Sequence, residues 1–404
     1  MTITIHRGNQ IGGCITIIEH EGCKIIIDLG SNLPGNKKKE YTEEDVAELT
    51  RGVNAIFYTH YHGDHTGLHH LVDPQIPQFM GAGAQEVMLC KYQALNARKD
   101  QSKQIESVKR MKSYTAGKPV EYDGSDKIKV TPYFVSHSAF DAYMFLIECD
   151  GLNILHTGDF RRHGYLGKGL FPMLNTFVRK VDILITEGTM LGRRQETVLR
   201  EVDIKQNVIK ALREHKYIFA LCSSTDLDRL ASFHDACRIT HRGFFVDDYQ
   251  QGVLDLFTKY AGKKSSLFNF CPLKGDGFLM PIRSSALDKV QRILAKNFDE
   301  EPWLIYSMWS GYAEEGKEYT NENIVKIRSL FNGRILDGTR DGFHTSGHAD
   351  IATLEEVCQT VNPTIGVIPI HKDEHATYDM DGIQRYKVFT TTEKISDKLS
   401  IVLD

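Results

Sequence analysis

Two α/β units, one inserted into the other, are what this sequence predicts. Three observations carry that expectation. The first part is rich in short apolar runs joined by tight turns, the middle alternates helical and strand patterns, and the last part returns to strand character. Residues 3–5 open as a strand. Residues 14–18 and 23–28 are apolar runs joined by Glu19-His20-Glu21-Gly22, which reads as a hairpin. Residues 43–51 and 84–112 carry helical patterns, and residues 55–59 are β-prone. Residues 142–149 and 152–156 flank Asp150-Gly151, a strong two-residue hairpin signal. Residues 181–186 read as a buried strand.

The pattern changes after Glu187. Residues 196–216 place Val198, Leu199, Val202, Val208, Ile209 and Leu212 near helical spacing. A strand follows at 217–222, a helix at 227–237 and a strand at 243–246. Helices are expected at 252–260 and 286–298, a strand at 303–309 and a helix at 322–331. Such alternation predicts a parallel, doubly wound sheet with its own core. Residues 364–370 and 386–391 read as strands again. The expected boundaries are residues 1–190 for the first part of the outer unit, 191–335 for the insertion, and 336–404 for the second part.

Bulk properties exclude several classes. A chain of 404 residues that is 41% hydrophobic and 25% charged has the composition of a folded globular protein rather than a disordered one. Net charge is −4, so no global basic field marks a nucleic-acid binder, although a local groove can be basic on an acidic protein. Eight cysteines form no CxxC pair, which argues against a cysteine zinc site; Cys222 and Cys358 read as small buried residues. With no signal peptide and no long apolar run, a cytoplasmic location and no membrane partner are expected.

The densest chemistry is His60-Tyr61-His62-Gly63-Asp64-His65, directly after the 55–59 strand. In an extended loop His60 and His62 point the same way, while Asp64 and His65 serve a second point in space. The spacing suits two metal ions side by side, and zinc, manganese and iron all accept such ligands.

On that cluster the chain resembles the metallo-β-lactamase fold hydrolases, and the rest of their ligand set has counterparts in order. Asp28 ends a strand where the family carries an orienting aspartate. His137, Asp159 and His371 match the later metal motifs. The resemblance implies an αββα sandwich. It also implies two divalent ions, zinc or alternatively manganese, with His60, His62, His137 and Asp159 at one and Asp64, His65, Asp159 and His371 at the other. Asp64 is counted with the catalytic residues as well. Asp28 is expected to fix the 60–65 loop by hydrogen bonds; a plain turn aspartate is the competing reading.

The insertion is similar to that of the nucleic-acid-processing β-CASP branch, which includes ribonuclease J and the endonuclease of mRNA 3′-end processing. Glu187 and His348 match its additional motifs. That likeness implies a general-acid pair, with Glu187 orienting His348; contact of His348 with the scissile phosphate is the alternative. RNA-processing members carry His at the position of His371, whereas DNA-repair members similar to Artemis carry Val.

The implied function is a metal-dependent ribonuclease that hydrolyses phosphodiester bonds in single-stranded RNA with a two-metal-activated hydroxide. A small-molecule ester or phosphodiester hydrolase, a DNA nuclease and a non-catalytic RNA scaffold are the alternatives. Ribonuclease J-like chains continue the last motif as His-Gly-Glu, where this chain has His371-Lys372-Asp373-Glu374. Their separate C-terminal domain is not expected here.

Phosphate contacts are expected at Ser223 and Ser224, in a Ser/Thr-rich strand–helix turn, and at Thr345 and Ser346; the resemblance to ribonuclease J-like proteins, which follow a similar turn with Arg, adds Arg229. A simple N-cap explains the first turn equally well. The basic residues between Lys91 and Lys112 read as a groove flank or, more often, a solvated helix face. Lys37-Lys38-Lys39 reads as an exposed loop. Tyr306 reads as core, and Trp309 and Tyr312 as candidate base-stacking residues.

Overall fold

A computed structural model describes residues 1–36, 38–261, 268, 276–390 and 398–403. Lys37, Cys271 and Thr391 lie outside the described residues.

Three sheets organise the chain. The first has seven strands in the order Lys398–Val402, Thr2–His6, Ile15–His20, Cys23–Ile27, Ala55–Phe57, Gln78–Gly81, Lys112–Tyr114. The second has five, in the order Gly366–Ile370, Ile183–Glu187, Leu152–His156, Ala142–Cys149, Ile128–Val135. Side chains on facing strands alternate into one shared layer. Ile25, Ile27, Phe57 and Phe79 of the first sheet pack with Phe145, Ile147, Ile185 and Ile368 of the second. Helices cover the outer faces, so the layers run αββα.

The third sheet is wholly parallel: Gly243–Phe244, Phe278–Ile282, Tyr217–Leu221, Trp303–Tyr306, Ile335–Asp337. Its strand order reverses across Tyr217–Leu221, as in a doubly wound sheet. One face packs on the helices Glu201–Glu214 and Leu227–Thr240 through Val208, Leu212, Phe233 and Ala236, in an apolar cluster that continues into Ile26, Ile56 and Val87 of the first unit. The inserted sheet is therefore rooted in the outer unit by a common core. The strand Ile335–Asp337 belongs to this sheet and crosses the expected boundary at 335.

Several expectations are corrected. The helical pattern at 84–112 is two helices, Ala82–Asn96 and Ser102–Arg110. Asn96 accepts from Gln101 N at 2.7 Å and Asp100 from Ser102 N at 2.9 Å; these side-chain bonds compete with the helix ladder and end it. The pattern at 196–216 becomes helical only at Glu201. Residues 386–390 form no strand and make a single parallel bridge, Val388 to Val367. Ile128–Val135, Gln78–Gly81, Phe278–Ile282, Lys398–Val402 and the helix Ile351–Val361 were not expected.

Candidate metal centre

Parallel strands deliver the candidate residues to one rim. Ile27 pairs with Phe57, so Asp28 and the 58–65 segment leave the first sheet side by side. Glu187 pairs with Ile370, so His371 emerges next to it from the second. Asp159 follows Leu152–His156, and His137 follows Ile128–Val135. Gly30 permits the close fit of the 60–65 loop: a Cβ there would stand 1.7 Å from the Asp64 carbonyl oxygen.

The imidazoles converge by their free nitrogens. His60 Nε2 is 3.1 Å from His62 Nδ1, and His137 Nε2 is 3.3 Å from the same atom. In a second group His65 Nε2 is 3.1 Å from Asp159 Oδ2 and 3.9 Å from Asp64 Oδ2, and His371 Nε2 is 3.3 Å from Asp64 Oδ2. Asp159 groups with His60 and His65 and also with Glu187, His348 and His371. Four ligands at zinc–nitrogen distances stand about 3.3 Å apart along a tetrahedron's edges. The observed spacings match that edge, so the donor set fits divalent ions.

The outward nitrogens of four of these rings are occupied. His60 Nδ1 meets Thr59 Oγ1 at 3.0 Å, His65 Nδ1 meets Asp28 Oδ2 at 2.8 Å, His137 Nδ1 meets the Gly347 carbonyl at 2.6 Å, and His371 Nδ1 meets Thr189 Oγ1 at 2.8 Å. Such bonds fix ring tautomer and aim the opposite nitrogen inward. Asp28 also accepts from Thr59 N at 2.7 Å and Thr59 Oγ1 at 2.8 Å, and thereby ties the loop to the strand. His371 has φ +50, a left-handed conformation that costs energy at a non-glycine residue and is held here by the Thr189 contacts.

Burial keeps three of the imidazoles neutral. Burial drives His60 and His137 well below the ordinary imidazole range and His62 down to about 4, so all three are neutral near pH 7 and offer lone pairs. Burial would raise the Asp159 carboxyl, but His371, His65 and His348 around it hold it well below the ordinary range.

Glu187 is fully buried. Its Oε1 accepts from Phe160 N at 3.0 Å and Ala349 N at 3.3 Å, and its Oε2 faces His348 Nδ1 at 2.9 Å. His348 Nδ1 is also 3.6 Å from Asp159 Oδ2. Burial opposes charge on His348, yet Glu187 and Asp159 outweigh it and raise its pKa above the ordinary value.

The candidate phosphate residues divide. Ser223, Thr345 and Ser346 line the cleft, a cavity of about 370 Å³ that also contains Asp64, Asp159 and His348. Ser224 turns instead to Tyr249, 3.4 Å from its hydroxyl. Arg229 also lines the cavity, but it is buried and bidentate to Glu201 at 2.9 and 3.1 Å. Asp226 caps its helix by accepting from Arg229 N, the N-cap reading of that turn. Tyr306 is buried core, its hydroxyl donating to the Trp309 carbonyl at 2.7 Å.

Sequence reasoning did not find Thr59, Thr189 or Arg161. The threonines directly precede His60 and closely follow Glu187, and that adjacency was the available signal. Arg161, two residues after Asp159, has no exposed side-chain surface; its Nη2 reaches Asp226 at 3.1 Å and Asp228 at 2.9 Å, and its Nη1 lies 3.5 Å from Glu201.

Comparison with known proteins agrees with this architecture. Residues 11–185 match the model of the metallo-beta-lactamase superfamily. The chain is 25% identical over 214 residues to cleavage and polyadenylation specificity factor subunit 3 of Dictyostelium discoideum, covering 46% of this chain and 25% of that protein. It is 24% identical over 206 residues to endoribonuclease ysh1 of Schizosaccharomyces pombe, covering 46% and 25%. The match thus spans about a quarter of the length of these curated relatives. A crystal structure of a protein of unknown function from Enterococcus faecalis superposes with a TM-score of 0.71 at 16% identity over 99% of both chains, a likeness of fold. The chain therefore carries a domain of the metallo-β-lactamase superfamily.

Proposed function

We propose that this protein is a metal-dependent ribonuclease acting on single-stranded RNA. The observation that carries the reading is the Glu187–His348 hydrogen bond at 2.9 Å, set against the Asp159 end of the ligand cluster. A site for hydrolysis alone needs only the ligands; a phosphodiester with an alkoxide leaving group also needs a proton donor beside them. Endoribonuclease relatives and the β-CASP-like insertion support RNA as substrate.

His60, His62 and His137 would hold one divalent ion and Asp64, His65 and His371 the other, with Asp159 within reach of both groups. Bound ions of this kind activate water and neutralise charge on phosphoryl oxygens. Glu187 accepts the Nδ1 proton of His348 and fixes the ring. The Nε2 of His348 is then the atom that delivers a proton to the leaving 3′-oxygen. Asp28 and Thr59 hold the 60–65 loop in place, and Thr189 does the same for His371. Ser223, Thr345 and Ser346 offer hydroxyls to phosphate oxygens along the cleft.

A cavity of about 370 Å³ is also within the size range of small-ligand pockets, which favours a short phosphodiester as the second reading. Cleavage of end-labelled single-stranded RNA and matched DNA, with zinc or manganese, separates the two. RNA cleavage that disappears in Asp159→Ala is the expected result. Two bound metals without cleavage of either polymer would turn the assignment to small phosphodiesters.

A further inference from the structure

We propose that Arg193 is the anion-recognising residue of the cleft, held ready by Trp309 to bind a phosphate of the substrate next to the metal centre. The inference rests on the phosphodiester reading above and adds the residue that seats the substrate's charge.

Arg193 ends the short 3-10 turn Thr189–Arg193 that begins two residues after Glu187. Thr189 at the start of that turn holds His371. The same few residues thus position a ligand and project a cation into the same cavity as Asp64, Asp159 and His348. Its neighbour Arg194 is already engaged, donating to the Asp379 carbonyl at 2.7 Å and the Thr377 carbonyl at 3.3 Å. Arg193 differs. Among the described residues its guanidinium has no carboxylate partner and instead lies over the Trp309 ring, 3.9 Å from the centroid.

The indole is built into a fixed platform. Its Nε1 donates to Glu196 Oε1 at 3.2 Å. Tyr312 and Tyr319 pack edge-on at 5.4 and 5.9 Å between centroids. Gly311 lies so close that a Cβ there would come within 2.4–2.6 Å of the ring carbons. Trp309 therefore offers one face to Arg193 and is hemmed by Gly311, so it is a support for the guanidinium rather than a base-stacking surface. Stacking leaves the guanidinium's N–H edge free, and that planar fork matches two oxygens of a phosphate. A cation with no acid partner, restrained in orientation beside a cluster rich in carboxylates and imidazoles, is suited to bring a polyanion to that cluster.

Trp309 also supplies a readout independent of turnover. The chain has two tryptophans, and the other, Trp303, stacks on His215 at 4.1 Å on the inserted sheet. In metal-loaded Trp303→Phe protein, emission comes from Trp309 alone. Adenosine 5′-monophosphate and inorganic phosphate should each give a saturable change in that emission, and adenosine should give none. Adding Arg193→Gln should abolish the change without lowering the melting temperature. It should also raise KM for RNA by about tenfold to a hundredfold, with Arg193→Lys falling between. An undiminished phosphate titration in Arg193→Gln, or an unchanged KM, would overturn the assignment. Failure of the ribonuclease reading has a different signature: no RNA is cut, yet the Arg193-dependent titration by phosphate persists.

Discussion

Two buried clusters of ionisable side chains lie within a few residues of each other in this chain, and they are organised in opposite ways. Around Arg161, opposite charges pair internally: two guanidiniums, Arg161 and Arg229, face the carboxylates of Glu201, Asp226 and Asp228. Burial alone would raise Glu201, but Arg229 and Arg161 bring it down to about 2, so it is ionised and paired. Around Asp159, by contrast, imidazole nitrogens and carboxylate oxygens point at one another across 3.1–3.3 Å with no arginine or lysine among the ligands. Lone pairs that converge in this way are satisfied by a shared cation. The first cluster is a clamp that joins the inserted unit to the Asp159 loop; the second has the donor set of a metal receptor. Carboxylates occur in both clusters; what separates the two is whether guanidiniums face them.

The sharpest way to break this contrast is to remove the shared ligand. Asp159→Ala is expected to abolish RNA cleavage and release metal while the fold is retained, as read by elemental analysis and circular dichroism. Next in size is His348→Ala, which should lower kcat by about 10²–10⁴-fold with both metals still bound. A substrate whose leaving 3′-oxygen is replaced by sulfur needs no proton and should close most of that gap; an equal deficit on both substrates would remove His348 from the acid role. In the other cluster, Arg161→Met strands buried carboxylates and should cost about 3–5 kcal/mol in a urea melt. A loss under 1 kcal/mol would mean that the clamp contributes little. Smallest is Thr189→Val, which frees His371 Nδ1 and should weaken metal affinity by about 10–100-fold, measured by chelator competition.

Much of this was legible in the sequence because the signals are local. His60 to His65 fall in one hexapeptide, and Asp28, Asp159, Glu187 and His371 each end or follow an apolar run that reads as a strand. The alternation of helix and strand patterns after Glu187 was enough for a doubly wound sheet. What escaped is non-local. The strand Ile128–Val135 contains Pro132, which argues against a strand in the sequence alone and is tolerated because this strand lies at the edge of its sheet, paired with Ala142–Cys149. The pairing of Arg229 with Glu201 had no sequence signal either; only tertiary structure brings the two together. Arg193 gave no sequence signal, because its meaning depends on Trp309, more than a hundred residues away.

The central claim is that the Asp159 cluster is a two-ion centre that cuts RNA. It is tested most directly by titrating metal-stripped protein with zinc or manganese while following bound ions per chain and RNA cleavage in the same samples. The account predicts that cleavage appears only as occupancy approaches two ions per chain. Full activity with the metal removed, or saturation of the His60–His371 cluster by two ions with no phosphodiester cleaved, would contradict it.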